Sequence, residues 1–173
     1  MTTAVASSAR SNRRSWTLTN RITEEKSLAR TTFDIRPFDA LSVEELYDIL
    51  YLRNRVFVAQ QEITAEPDVD GRDPDAHHAM LWLGAGGAEE STAQRSMLGT
   101  ARIFVSESAS SSSNPSGELE PAVIGRVAVD PNRQRQGHGT ELMKQIQSWL
   151  GDRPAELHAQ AYLQEWYEGL GWS

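Results

Sequence analysis

The chain has 173 residues, a formal net charge of -7, 39% apolar residues and no cysteine, with a mean hydropathy of -0.51. That length accommodates one hydrophobic core plus a tail. The missing cysteines exclude disulfides, thiolate metal sites and a cysteine nucleophile, the negative charge argues against nucleic acid as a partner, and no apolar run approaches the roughly 20 residues of a membrane-spanning helix.

Residues 1–32 carry Arg10, Arg13, Arg14, Arg21, Lys26 and Arg30 against Glu24 and Glu25, a net of +4 that leaves -11 for the remainder. Rich in Ser, Thr and Arg and poor in apolar residues, this stretch cannot bury enough surface to fold alone. It reads as a disordered extension, or alternatively as a mitochondrial targeting segment, because Arg-rich, acid-poor N-termini have that use. The expected location is accordingly the cytoplasm, with the mitochondrion as the alternative.

The domain is expected over residues 33–173, as an α/β chain with a mixed sheet. Residues 33–38 form a first strand. Ser42 and Glu45 have capping-box spacing and start a helix with Val43, Leu46, Tyr47, Leu50 and Phe57 on one face. Residues 60–76, rich in Asp, Glu, Pro and Gly, form a loop with a broken helix. Residues 77–83 and 97–106 read as strands, residues 106–117 as a serine-rich solvated loop, and residues 121–130 as the central strand.

Val127 and Val129 alternate at strand period before Pro131, and Gly137 and Gly139 permit a tight turn with inward-facing N–H groups. The following apolar residues Leu142, Met143, Ile146, Trp149 and Leu150 recur at helical steps. A helix that opens on such a turn presents free N–H donors and the positive end of its dipole, which suits a pyrophosphate; Arg133 and Arg135 add charge nearby. A plain turn is the simpler alternative. The chain lacks the Gly-Lys-Ser/Thr ending of a nucleotide-triphosphate loop and the third glycine of a dinucleotide loop.

Gln134-x-x-Gly137-x-Gly139 in this strand-loop-helix setting resembles the signature of the GCN5-related N-acetyltransferases (GNAT), and the C-terminal Trp166-Tyr167-Glu168-Gly169-Leu170-Gly171-Trp172 resembles the segment that closes their sheet. Leu46-Tyr47, Arg53-Asn-Arg-Val-Phe-Val58, Asp70-Gly71, Val123-Ile-Gly-Arg-Val127 and Ala159-Gln-Ala-Tyr-Leu-Gln164 look like the ElaA-like branch. The resemblance implies the GNAT acyl-CoA N-acyltransferase fold, with acetyl-CoA as co-substrate and an amine of a small molecule or peptide as acceptor. It places Val127 and Val129 along the pantetheine arm, Gln134, Arg135, Gln136, Gly137, His138, Gly139 and Thr140 around the pyrophosphate, Gln160 on the cofactor, and Tyr167 beside the thioester sulfur as the acid. With no cysteine, transfer is expected to be direct, through a ternary complex.

The general base stays open among Glu62, Asp70, Asp73, His77, His78 and Glu120; Gln60 stands where ElaA-like sequences often carry an acid. His77 and His78 with Asp73 and Asp75 match no strong metal pattern. Arg102 and Arg126 sit in strands that should be buried, so each needs an anionic partner: an internal acid such as Asp70 or Glu120, or a carboxylate on the acceptor. Related domains continue past the Gly-Phe position with two further strands, whereas this chain ends at Ser173, which reads as truncation after the fourth helix and implies an open sheet edge that invites self-association. A non-catalytic acyl-CoA-binding module is the alternative function. A further alternative is a synthase of acyl-homoserine lactones, which Leu52-Arg53-x-x-Val56-Phe57 resembles.

Overall fold

A computed structural model describes residues 31–63, 65–84, 95–106, 119–157 and 163–172; the expectations for the N-terminal extension, the serine-rich loop and Gln160 lie outside these. Five strands form one sheet in sequential order: β1 (Thr31–Pro37), β2 (His77–Leu83), β3 (Ser96–Phe104), β4 (Ala122–Val129) and β5 (Ala155–Leu157). The first four run antiparallel to their neighbours and β5 runs parallel to β4. Phe38–Ala40, at the expected end of the first strand, is instead a 3-10 turn. Pro37 at the strand end cannot donate to the ladder.

Helices cover both faces. Ala79 and Leu81 of β2, Leu98 and Ile103 of β3 and Ile124 of β4 pack with Leu142, Met143 and Ile146 of α2 (His138–Leu150). On the opposite face, Met80, Trp82, Met97 and Ala128 pack with Ile49 and Leu52 of α1 (Val43–Arg53) and with Val56 just beyond it. The period-2 split of β2 between these two clusters follows from strand geometry, with both faces apolar because both are covered. A short α3 (Gln164–Glu168) follows β5.

The capping box forms as expected: the Glu45 N–H donates to Ser42 Oγ at 3.1 Å and the Ser42 N–H donates to Glu45 Oε2 at 3.0 Å. The buried stripe of α1 differs from the expected one. Val43 is 80% and Tyr47 67% exposed, whereas Ile49, Leu52 and Val56 are buried with Glu45 and Arg53. The sequence offers two stripes at helical spacing, and the choice is made by ion pairs: Arg36 holds Glu45, and acidic partners hold Arg53. Tyr47 stacks on Tyr51 outside. Beyond Arg53 the helix widens into π turns over Asn54–Gln60, a change of pitch that sequence period does not reveal.

Candidate active site

The site begins with an extra residue in β4. Thr100 faces Ala128 and Arg102 faces Gly125, so Ala101 alone spans Arg126 and Val127. Arg126 takes up the surplus in a left-handed conformation, φ 53°, an arrangement that costs a non-glycine residue on the order of 1–3 kcal/mol and bends the strand. Its side chain supplies a compensation: Arg126 Nε lies 3.0 Å from Asp68 Oδ1 and Nη2 lies 3.5 Å from Asp70 Oδ2.

Among the described residues, β5 pairs with β4 from Ala122 with Ala155 to Ile124 with Leu157. A cavity of about 570 Å³ is lined, among the described residues, by Val127, Leu157, Leu163 and Tyr167 together with Phe57, Gln61, Ile63, Glu66, Asp68 and Arg126. Tyr167 is only 5% exposed and belongs to the core, and it also lines the cavity.

Past the cavity, Asp130 ends β4. Its N–H donates to the Leu98 carbonyl at 2.8 Å, its carboxylate accepts from the Asn132 N–H at 3.1 Å, and Arg55 pairs with it at 3.0 Å. The loop then turns through Arg135 (φ 61°) and Gly137 (φ 89°) into α2. The first helical bond runs from the Glu141 N–H to the Gly137 carbonyl, so the N–H groups of His138, Gly139 and Thr140 precede any intrahelical acceptor. This is the turn into a helix N-terminus that the glycine spacing predicts.

The expected site residues take distinct places around it. Val127 and Tyr167 meet in the cavity. Gln134 turns back onto its own scaffold: its amide exchanges hydrogen bonds of 3.0 and 3.1 Å with Gln60 and donates to the Val129 carbonyl at 3.3 Å. Gln136 donates to the Asn132 carbonyl at 3.5 Å. Gly139 is a packing glycine, since a Cβ there would lie 3.2 Å from Trp166 Cζ2 and 3.4 Å from Val129 Cγ2. The Trp166 indole N–H donates to Thr140 Oγ1 at 3.3 Å, fastening α3 to the start of α2.

The expected bases do not converge on the cavity; none of the six lines it. His77 lies against Trp149 at 5.4 Å, in a separate hollow with Val105, Leu150 and Arg153. His78 is fully buried, with Nε2 3.1 Å from the Asp73 carbonyl, and burial lowers its pKa. Glu62 and Glu120 are exposed outside the cavity lining. Asp70 and Asp73 belong to an ion network instead.

That network settles the partners of the buried arginines. Arg102 donates to both oxygens of Asp70 at 2.7 and 2.8 Å and to Asp73 at 3.3 Å. Arg53, 1% exposed, donates to Asp73 at 2.6 Å, to the Asp68 carboxylate at 2.9 Å and to the Asp68 carbonyl at 2.8 Å. Arg126 joins through Asp68 and Asp70. The internal-acid reading of Arg102 and Arg126 therefore holds for Asp70; Glu120 takes no part as an ion partner and instead accepts from Arg153 through its backbone carbonyl. The Arg102 guanidinium beside Asp70 holds its carboxyl well below the usual carboxylate range. Sequence reasoning overlooked Arg53, Asp68 and Glu66. Three arginines on otherwise apolar elements require acidic partners, and the segment before β2 offers six acids, Glu62, Glu66, Asp68, Asp70, Asp73 and Asp75, of which the fold uses Asp68, Asp70 and Asp73.

A mixed sheet with a bulge in β4, whose end leads through a loop into a helix N-terminus, defines an acyl-CoA N-acyltransferase-like α/β fold. The chain belongs to the acetyltransferase (GNAT) domain family, whose model matches residues 81–173. It is similar to ElaA of Escherichia coli, at 33% identity over 76% of each chain, and to a UPF0039 protein of Schizosaccharomyces pombe, at 30% identity over 83% of this chain and 85% of that one. The crystal structure of E. coli ElaA superposes with a TM-score of 0.60 over 81% of this chain and 85% of that one, at 30% identity. An acyl-CoA N-acyltransferase from Pseudomonas aeruginosa superposes with a TM-score of 0.61 over 82% and 88%, also at 30% identity.

Proposed function

We propose that the protein is an N-acetyltransferase that passes the acetyl group of acetyl-CoA directly to an amine of a small molecule or peptide. The observation that carries this reading is the run along β4 from the cavity lined by Val127, Leu157 and Tyr167 to the free N–H groups at the start of α2. A long thioester with an anionic tail fits that run: Val127 and Val129 would flank its arm, and the amides of Gly137 to Thr140, with Arg135 beside them, would hold its pyrophosphate. When bound, acetyl-CoA supplies an acyl carbon with a thiolate leaving group.

Direct transfer needs two proton movements. As the amine lone pair forms the C–N bond, the C–S bond breaks and its electron pair goes to sulfur. Tyr167 donates its phenolic proton there, and a carboxylate or a water takes the proton released by nitrogen. The chain has no cysteine that could carry the acyl group between these events.

The test is calorimetry with acetyl-CoA, followed by thiol release across a panel of primary amines. Micromolar binding with turnover on at least one amine is the expected result. Binding without turnover on any amine would make the chain a non-catalytic acyl-CoA-binding module.

A further inference from the structure

The charges around the cavity restrict which amine can enter it, an inference that rests on the acyl-transfer reading. Among the described residues, the charged side chains that line the cavity are Glu66, Asp68 and Arg126. Two of them are already matched. Asp68 stands between Arg53 at 2.9 Å and Arg126 at 3.0 Å, and Arg126 also faces Asp70 at 3.5 Å. Glu66 is exposed and takes part in no ion pair or hydrogen bond among the described residues. The same cavity is lined by the apolar side chains of Phe57, Ile63 and Leu163.

We propose that Glu66 determines acceptor specificity by receiving the ammonium of a primary alkyl- or arylalkylamine whose apolar body lies on Phe57, Ile63 and Leu163. The same arrangement disfavours α-amino acids. A carboxylate beside the nitrogen would meet the Glu66 charge, and the Arg126 guanidinium that could receive it is already occupied by two aspartates. Loss of an exposed charge contact of this kind weakens binding by up to about fivefold.

Phenethylamine and phenylalanine share ring and amine and differ by one carboxylate, so their affinities for the CoA-loaded protein, measured by calorimetry, read the proposal. The wild-type chain is expected to prefer phenethylamine by about tenfold or more. Glu66→Gln should weaken phenethylamine by about twofold to fivefold, and Glu66→Lys should abolish or reverse the preference. Phenethylamine affinity of the unaltered protein should also fall as salt rises, which needs no variant. Equal affinity for the two ligands, no binding of phenethylamine, or a preference that both variants leave intact overturns the proposal even if acetyl transfer is observed. A Glu66-dependent preference without acetyl transfer would support this assignment and sink the transfer reading instead.

Discussion

Tyr167 occupies two environments at once, and its replacement separates them. Its ring packs within the core beside Trp166, at 4.5 Å between centroids, while its side chain also lines the cavity. Tyr167→Phe retains the ring, so the fold and acetyl-CoA affinity should be kept. If the phenol protonates sulfur, kcat should fall by roughly one to three orders of magnitude. A parallel drop in melting temperature would assign the hydroxyl to packing. At this scale the sequence was informative about identity more than orientation. Tyr167 and Val127 could be placed from their motifs, but Gln134, read as a cofactor contact, spends its amide on Gln60 and Val129. Arg126 reads as one more residue of an alternating strand, because a bulge leaves no mark on alternation.

At the scale of elements, the start of α2 combines packing with charge, and Gly139 belongs to both. A methyl group there meets Trp166 at 3.2 Å, so Gly139→Ala should destabilise the protein by about 1–3 kcal/mol through overpacking. Gly139→Asp adds a negative charge to the same clash. If the helix terminus holds a pyrophosphate, Asp should weaken coenzyme A at least about tenfold beyond Ala, equivalent to about 1.4 kcal/mol. Equal losses in calorimetry would leave packing as the whole explanation. The strand-loop-helix unit was legible because alternation, paired glycines and helical period follow one another without overlap. The α1 boundary was not, since its π widening leaves no mark on sequence period and its buried stripe carries Glu45 and Arg53, whose partners Arg36, Asp68 and Asp73 lie outside the helix.

Across the whole molecule, the residues before β2 are held to the sheet by buried charge, and this makes stability depend on pH in two windows. His78 is buried and its folded pKa lies below the ordinary 6.5. In the unfolded chain it takes a proton near pH 6.5 while the folded chain still excludes one. Stability present above that pH is therefore lost as pH falls, with a slope of up to about 1.4 kcal/mol per unit for one proton. Asp70 acts lower: its folded pKa is depressed by Arg102, so its contribution is complete above the ordinary carboxylate range and declines as pH falls toward the folded value. Urea midpoints at pH 7, 5 and 3 should thus fall in two stages. His78→Gln, which offers an amide donor where Nε2 meets the Asp73 carbonyl at 3.1 Å, should flatten the first stage, and Asp70→Asn the second. A wild-type midpoint unchanged between pH 7 and 5 would mean that His78 accepts its proton within the fold, and that the Asp73 side of the network, with Asp73 Oδ1 2.6 Å from Arg53, retains enough negative charge to receive an imidazolium.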